Sequence, residues 1–159
     1  MSFFILDGVL KDYMGKNENI VIPKSVNIIG DYAFEYRFFL ESVTIPESVE
    51  TIGNHAFSNC SSLKSIIIPK SVKTIGSGAF EFCSSLKYVT ISEGVTSLDS
   101  DAFWFCTSLE SVTIPESVES IGNYAFCDCN SLKYAKIPKE LKYDVDDAFK
   151  YCPAEIEYY

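Results

Sequence analysis

Five cysteines recur at a fixed spacing of 23 residues, and they carry the most evident chemistry in this chain: Cys60, Cys83, Cys106, Cys129 and Cys152. If each belongs to one unit of a stacked repeat, neighbouring side chains lie about 4.7–4.9 Å apart, the spacing of adjacent strands. That separation permits disulfide bonds. Side chains in such a ladder point in parallel rather than towards each other, however. We therefore expect buried structural thiols, with disulfides as the alternative.

The remaining candidates for catalysis or metal binding are Cys127 and His55. Cys127 forms Cys127-Asp128-Cys129 and lies in a variable column, so we expect a partly exposed thiol. Zinc usually needs four N or S ligands, and the chain has one His and one Cys-x-Cys. A catalytic His needs a nucleophile and an orienting acid within reach, and we find neither at positions matching His55. The sequence thus predicts no metal, no cofactor and no enzyme.

Acidic residues gather in two places, at Asp99 and Asp101 and again at Asp144, Asp146 and Asp147. Both groups lie near the expected starts of short helical segments, where negative charge is stabilised by the helix dipole. We interpret them in this way, and a weak calcium site is the alternative.

These residues sit in a chain that repeats every 23 positions. An Ala-Phe pair recurs six times without insertion, and proline recurs with Ser92 in one slot. The pairs begin at Ala33, Ala56, Ala79, Ala102, Ala125 and Ala148, and the prolines are Pro23, Pro46, Pro69, Pro115 and Pro138. A fixed period of 20–50 residues is typical of solenoids. We predict one α/β domain of about six coils.

Each coil is predicted to contain a short parallel strand. The segment Val-x-Ile-Pro alternates apolar and polar residues, as a half-buried strand does, and proline ends the pairing. A second extended stretch ends at a glycine in most coils, as at Gly53 and Gly76. A short polar residue follows, at Asp31, Asn54, Ser77, Ser100, Asn123 and Asp146. Such residues cap helices, so we predict a helical turn over Ala-Phe-x-x-Cys on the convex side.

The outward residues of these strands form the predicted concave face. Small polar groups dominate it, with two tyrosines in one row and an isoleucine and a lysine in the next. Tyrosine provides a large contact area at low entropic cost, although Thr and Tyr also have ordinary strand propensity. The predicted ligand-binding residues are Tyr88, Tyr134, Ile67, Thr90, Thr113 and Lys136.

A second candidate surface is an aromatic rim beside the cysteine column, formed by Tyr36, Phe82, Trp104 and Phe105. Exposed aromatic residues at this density indicate a contact patch for a partner or a second copy. The alternative is that the rings fold over the edge of the core.

The two ends depart from the repeat. Phe3-Phe4-Ile5-Leu6 and Val9-Leu10 flank Asp7-Gly8, a hairpin signal, so residues 1–19 are predicted to form an N-terminal β-hairpin cap on a solenoid of residues 20–159. The last coil has Asp144, Val145 and Glu155 where other coils have Ile, Gly and Leu, and this polarity suits a terminal coil.

Composition and charge narrow the range of partners. The net charge of −9 with scattered Lys and Arg disfavours nucleic acid, and no apolar run approaches the roughly 18 residues of a membrane span. The first residues lack a basic leader and a long apolar stretch, so they do not resemble a secretory signal. The residues alone therefore indicate a cytosolic protein or a segment of a longer one.

At this level of detail the repeat resembles the BspA-like leucine-rich-repeat family. The segment from Ile45-Pro46 through Val49, Ile52-Gly53, Ala56-Phe57 and Cys60 to Leu63 follows the family's unit. The resemblance implies a right-handed solenoid and a surface or secreted location in a host-associated bacterium or a protist. It also implies adhesion to a protein, such as a host extracellular-matrix or cell-surface protein. Arg37 in the first cysteine slot and Ser92 for proline are departures.

Two functions follow as hypotheses from different classes. The first is a protein-binding or adhesion module that uses the concave face or the aromatic rim. The second is a passive spacer or stalk within a larger surface protein, about 28 Å long if six coils stack at the strand spacing.

Overall fold

The computed structural model describes residues 3–141, 145 and 147–159, and they form a β-solenoid of about six coils. The first five coils each add one strand to each of two seven-stranded sheets. The solenoid arises because the same side chains recur once per coil, so neighbouring coils stack like on like. A single elongated core lies between the two sheets.

The first sheet, here called the long-strand sheet, contains the predicted Val-x-Ile strands. Its strands pair in parallel in chain order, and Ser65, for example, lies opposite Tyr88. The strands are β3 (Asn19–Val21), β5 (Ser42–Thr44), β7 (Ser65–Ile68), β9 (Tyr88–Ile91), β11 (Ser111–Thr113), β13 (Tyr134–Ile137) and β14 (Glu155–Tyr158).

The second sheet, here called the short-strand sheet, is built mostly from two-residue strands that precede the glycine column. It begins with an antiparallel pair and continues in parallel. The strands are β1 (Phe3–Leu6), β2 (Val9–Tyr13), β4 (Ile28–Ile29), β6 (Thr51–Ile52), β8 (Thr74–Ile75), β10 (Ser97–Leu98) and β12 (Ser120–Ile121).

The core consists of ladders of identical side chains. The phenylalanine of each Ala-Phe pair stacks on the next with ring centroids 4.7–5.1 Å apart and planes within 9° of parallel. The leucine and isoleucine columns are buried beside this stack, while Val89 alone of its column is half-buried. Burial of each such apolar side chain contributes roughly 1.5–3 kcal/mol.

The helical turn predicted over Ala-Phe-x-x-Cys is wrong. In the described residues the one helical element is a 3₁₀ turn, η1 (Lys139–Leu141), and the predicted segments are runs of turns. The amides of Tyr32, Phe34 and Tyr36 donate to carbonyls of the next coil, whereas those of Ala33, Glu35 and Arg37 donate back three residues. Since alternate amides point along the solenoid axis, a helix cannot form. We call these runs the turn ladder.

The polar column that we expected to cap helices instead links coils. Asp31 Oδ1 accepts the amide of Asn54 at 2.7 Å, and Asn54 Oδ1 accepts the amide of Ser77 at 2.9 Å. A short acceptor that suits a helix N-terminus suits this position as well, and so the sequence signal was ambiguous. Asp146 of this column lies outside the described residues.

At the N-terminal end, β1 and β2 pair antiparallel, and β2 continues into the short-strand sheet. The Tyr13 ring packs on Phe34 at 5.5 Å, and Phe3 packs on Tyr13 at 5.0 Å. The pair of strands thus places two aromatic rings over the first ring of the phenylalanine stack.

At the C-terminal end the last coil is shorter than the others. Glu155 lies opposite Tyr134, a step of 21 residues rather than 23. With this shift Ile156 and Tyr158 point inwards and Glu155 and Glu157 outwards. The seventh strand is therefore kept although the 23-residue register is lost. Asp144, which the sequence places in this coil, lies outside the described residues.

Candidate functional site

The outward residues of the long-strand sheet form one continuous exposed face. Because every strand is paired in register, side chains of one row lie on adjacent strands. The structure brings together all six predicted binding residues on this face, and all are exposed: Ile67, Tyr88, Thr90, Thr113, Tyr134 and Lys136. Among the isoleucine and the two tyrosines, Ile67 is the most exposed, at 66%.

The two tyrosines of the face have different surroundings. The Nζ of Lys87 lies 5.3 Å from the centre of the Tyr88 ring and 3.2 Å from Glu110 Oε1, which orients the lysine across the ring. Tyr134 stands beside Lys136, which forms an ion pair with Glu157 at 3.4 Å. Ser111 separates the two tyrosines, so they lie two strands apart on the same row.

A C-terminal tyrosine that the sequence analysis missed borders this face. The Tyr159 hydroxyl donates to the Ile114 carbonyl oxygen at 2.8 Å. Together with Thr90, Thr113 and Glu93, it lines a depression of about 300 Å³. Partial burial, with Glu116 and Glu93 nearby, raises the pKa of Tyr159. The contact between Tyr159 and Ile114 spans 45 residues, which is not a multiple of 23, so the repeat pattern does not predict it.

The four predicted rim residues lie on the turn ladder, and they form two groups. Tyr36 is exposed in the first coil and packs on Phe38. Phe82, Trp104 and Phe105 cluster two coils further on, with ring centroids 4.9 and 5.4 Å apart for Phe82 with Trp104 and with Phe105. Phe105 is exposed, whereas Phe82 and Trp104 are half-buried.

All five cysteines of the 23-residue column are free thiols, and each makes the same kind of hydrogen bond. Each Sγ donates to the carbonyl oxygen of the phenylalanine 26 residues earlier, as from Cys60 to Phe34 at 3.2 Å and from Cys106 to Phe80 at 3.2 Å. Burial raises the pKa of Cys60 to about 12 and raises that of Cys83 and Cys106 as well. These thiols are neutral links between coils.

The last two cysteines of the ladder interact with each other. The interaction between the two thiols raises the pKa of Cys129, which is also buried, and lowers that of Cys152, which is partly exposed. Cys152 is therefore the ladder thiol most open to reagents.

The prediction of a partly exposed Cys127 is wrong, since the residue is only 3% exposed. Its column turns inwards here, as it does at Ser58. The thiol lies 3.4 Å from Asp128 Oδ2, and burial together with this carboxylate raises the pKa of Cys127 to about 11.

His55 has closer polar neighbours than the sequence indicated. Its Nδ1 lies 2.9 Å from Glu81 Oε1, the same oxygen that accepts the buried Ser58 hydroxyl at 2.9 Å. The ring stacks on Tyr32 at 5.2 Å, over Gly78, where a Cβ would lie 2.5 Å from Nδ1. Because His55 and Ser58 both bond to Glu81 rather than to each other, they do not form a nucleophile and base pair.

The predicted acidic clusters lie only partly within the described chain, since Asp144 and Asp146 fall outside it. The pKa of Asp101 is raised by partial burial and by Glu81 nearby, against a smaller opposite effect of His55. In the residues that the structure describes, no three His, Cys, Asp or Glu side chains are grouped to hold a metal ion. No helix within the same ranges has the length and apolar character that a membrane span requires.

The family model for the "BspA type Leucine rich repeat region" matches six copies over residues 27–156. Among solved structures, the Treponema pallidum leucine-rich-repeat protein TpLRR is 33% identical, with a TM-score of 0.80 over 81% of this chain. A leucine-rich cell surface protein of Faecalibacterium prausnitzii is 34% identical, with a TM-score of 0.76 over 94%. The pneumococcal vaccine antigen PcpA is 29% identical, with a TM-score of 0.69 over 77%.

The chain spans 63%, 45% and 31% of the lengths of these three solved structures. A comparison with curated proteins gave no significant match. Since the family model covers most of the chain and agrees with the stacked ladders described above, the chain belongs to the BspA-type leucine-rich-repeat family.

Proposed function

We propose that the protein is a protein-binding module whose ligand docks on the exposed face of the long-strand sheet. The observation that carries this proposal is the exposure of three large side chains on one regular face: Ile67 at 66%, Tyr88 at 54% and Tyr134 at 60%. Isolated exposed apolar residues are common. Here, however, they share a rigid sheet with serine and threonine in the intervening positions.

The chemistry of this face suits a protein surface. Threonine and serine hydroxyls donate and accept hydrogen bonds, and the two tyrosines offer large rigid contact areas. The inner side of every strand is filled by the core, so the backbone beneath the face is held in place before a ligand arrives. Preorganisation of this kind reduces the entropic cost of binding.

An adhesive role at a cell surface is the setting we propose for this binding. It is supported by the description of the Faecalibacterium prausnitzii neighbour as a cell surface protein. A host extracellular-matrix or cell-surface protein is the partner class we propose. We further propose that the solenoid is right-handed, with the long-strand sheet concave and the β1 and β2 pair as a cap over the core.

The test is a binding screen of the purified protein against extracellular-matrix and plasma proteins, with Tyr88→Ala/Tyr134→Ala as the test variant. A matched control removes two exposed tyrosines from the turn ladder, Tyr32→Ala/Tyr124→Ala. We expect saturable binding that falls at least tenfold in the sheet variant and persists in the control. Absence of binding to every panel member would favour the spacer role instead.

A further inference from the structure

The turn ladder carries bulky aromatic residues where the backbone disfavours them. Apart from Asp7, the non-glycine residues with positive φ form two columns of the 23-residue repeat. The tyrosines and phenylalanines among them are Tyr32, Tyr36, Phe82, Phe105, Tyr124 and Tyr151. The left-handed conformation costs an L-residue roughly 1–2 kcal/mol, and Gly, Asn and Asp tolerate it best. Asn59 and Asp128 fill the same column as Phe82 and Phe105, so the fold accepts the small residues.

Burial does not account for five of these six rings, and Phe82 is the half-buried exception. Tyr32, Tyr36 and Tyr151 are more than half exposed, and Phe105 and Tyr124 are each 39% exposed. Strained backbone positions that neither packing nor conformational preference explains tend to be functional. The rings therefore need an explanation outside the core.

At two places on the ladder the chain's own side chains show what these rings accept. Lys150 Nζ lies 5.6 Å from the Tyr124 ring and 5.7 Å from the Tyr151 ring, with Asp147 Oδ1 at 3.7 Å. Nearer the N-terminus, the His55 imidazole stacks on Tyr32 while its Nδ1 contacts the Glu81 carboxylate. In both places a basic side chain lies between an aromatic ring and a carboxylate.

The centre of the ladder has the same aromatic and acidic groups, and the basic neighbour of Asp101, His55, is bonded to Glu81 instead. Phe82, Trp104 and Phe105 form a cluster, and the Trp104 Nε1 donates to Asp128 Oδ2 at 3.2 Å. Among the described residues, neither Asp101 nor Asp128 forms an ion pair. The Asp101 carboxylate also makes no hydrogen bond there.

We propose that this aromatic–acidic patch, formed by Phe82, Trp104, Phe105, Asp101 and Asp128, binds lysine or arginine side chains of a basic polypeptide segment. A cation over an aromatic face is attracted by the ring quadrupole, and the two carboxylates supply the matching charge. A second copy of this chain fits poorly, because its net charge of −9 would bring like charges together. The patch is separate from the long-strand sheet, so this proposal does not depend on the ligand proposed there.

The structure supplies its own reporter for a test. Trp104 is the single tryptophan of the chain and lies within the patch. We would titrate the protein with an oligo-arginine peptide at low salt and follow tryptophan emission. We expect a saturable change in emission and a dissociation constant that rises with salt, since surface charges are screened.

The decisive variant is Phe105→Asn, which removes the ring but keeps a residue that suits the left-handed backbone. Loss of a cation–π contact predicts about 3- to 10-fold weaker peptide binding, with a melting temperature close to that of the parent. Asp101→Asn should also weaken binding, because it removes the negative charge. Asn suits the left-handed backbone at this position, so the substitution changes little else. Tyr36→Asn is the matched control in the same column of the first coil, and it should bind oligo-arginine as the parent does.

Three outcomes would overturn the proposal. Phe105→Asn could bind like the parent, which would exclude the ring. Tyr36→Asn could lose as much affinity as Phe105→Asn, which would show that the peptide binds aromatic rings along the whole turn ladder rather than this patch. A neutral oligosaccharide could change the emission as strongly as oligo-arginine, which would make the rings a sugar-binding surface.

Discussion

At the residue scale, the cysteine column shows how one small side chain serves a stacked fold. Each thiol fills a core position and donates to a phenylalanine carbonyl 26 residues earlier. That carbonyl also accepts a turn amide, as Phe34 does from Arg37 at 3.2 Å. The thiols thereby serve packing, and burial keeps those of Cys60, Cys83 and Cys106 protonated.

This role predicts loss of stability at alkaline pH. Burial raises the pKa of Cys60 from an ordinary 9.0 to about 12, with Cys83 and Cys106 raised as well. The unfolded chain releases these protons above pH 9 while the folded chain holds them. Stability is therefore fully present below pH 9, and each such thiol costs about 1.4 kcal/mol per pH unit above it.

The measurement is the free energy of unfolding by urea between pH 7 and 10. We expect a plateau below pH 9 and a steep fall above it. Cys83→Ala/Cys106→Ala should be less stable at pH 7 but should show a shallower fall. An equally steep fall in that variant would assign the alkaline loss to other groups.

At the scale of elements, the first coil differs from the others at the position where they carry a cysteine. Arg37 occupies the cysteine slot, and its Nε donates to the Tyr13 carbonyl oxygen at 2.6 Å while Nη2 contacts Asp12 Oδ1 at 2.7 Å. A cysteine could not reach these acceptors. The arginine therefore ties β2 to the first repeat, and the apparent departure from the repeat has a structural reason.

Restoring the repeat residue should consequently destabilise the protein. Arg37→Cys removes charge-assisted hydrogen bonds worth about 1–2 kcal/mol after allowance for the partly exposed Asp12, which corresponds to a fall in melting temperature of about 2–8 °C. Lys64→Met is the control, since it breaks an exposed ion pair with Glu41 and should change stability by about 0.5 kcal/mol or less. A melting temperature for Arg37→Cys at or above the parent value would contradict this role.

The elements also show where sequence patterns succeed and where they fail. The parallel strands followed from Val-x-Ile-Pro, because alternation and proline act locally. The predicted helical turn was wrong, because Asp31 and Asn54 accept amides of the next coil rather than of their own. A column of short polar residues indicates that a hydrogen-bond acceptor is needed, but it does not indicate whether the donating amide belongs to the same coil or to the next one.

At the scale of the whole molecule, the repeat fixes which residues share a face. All six residues predicted for the binding face lie on the long-strand sheet and are exposed. The shortened last coil, the position of Tyr159 and the contact between His55 and Glu81 were not predictable. Each depends on a departure from the 23-residue step or on a side chain that occurs only once in its column.

In the proposed function, a protein ligand docks on the exposed face of the long-strand sheet. The most direct test places a bulky charged side chain in the middle of that face, by Thr113→Arg, and measures affinity for each panel protein that the parent binds. Ser120→Arg, an exposed strand position on the short-strand sheet, is the control. We predict at least tenfold weaker binding for Thr113→Arg and parent affinity for Ser120→Arg, and parent affinity for Thr113→Arg would contradict the claim.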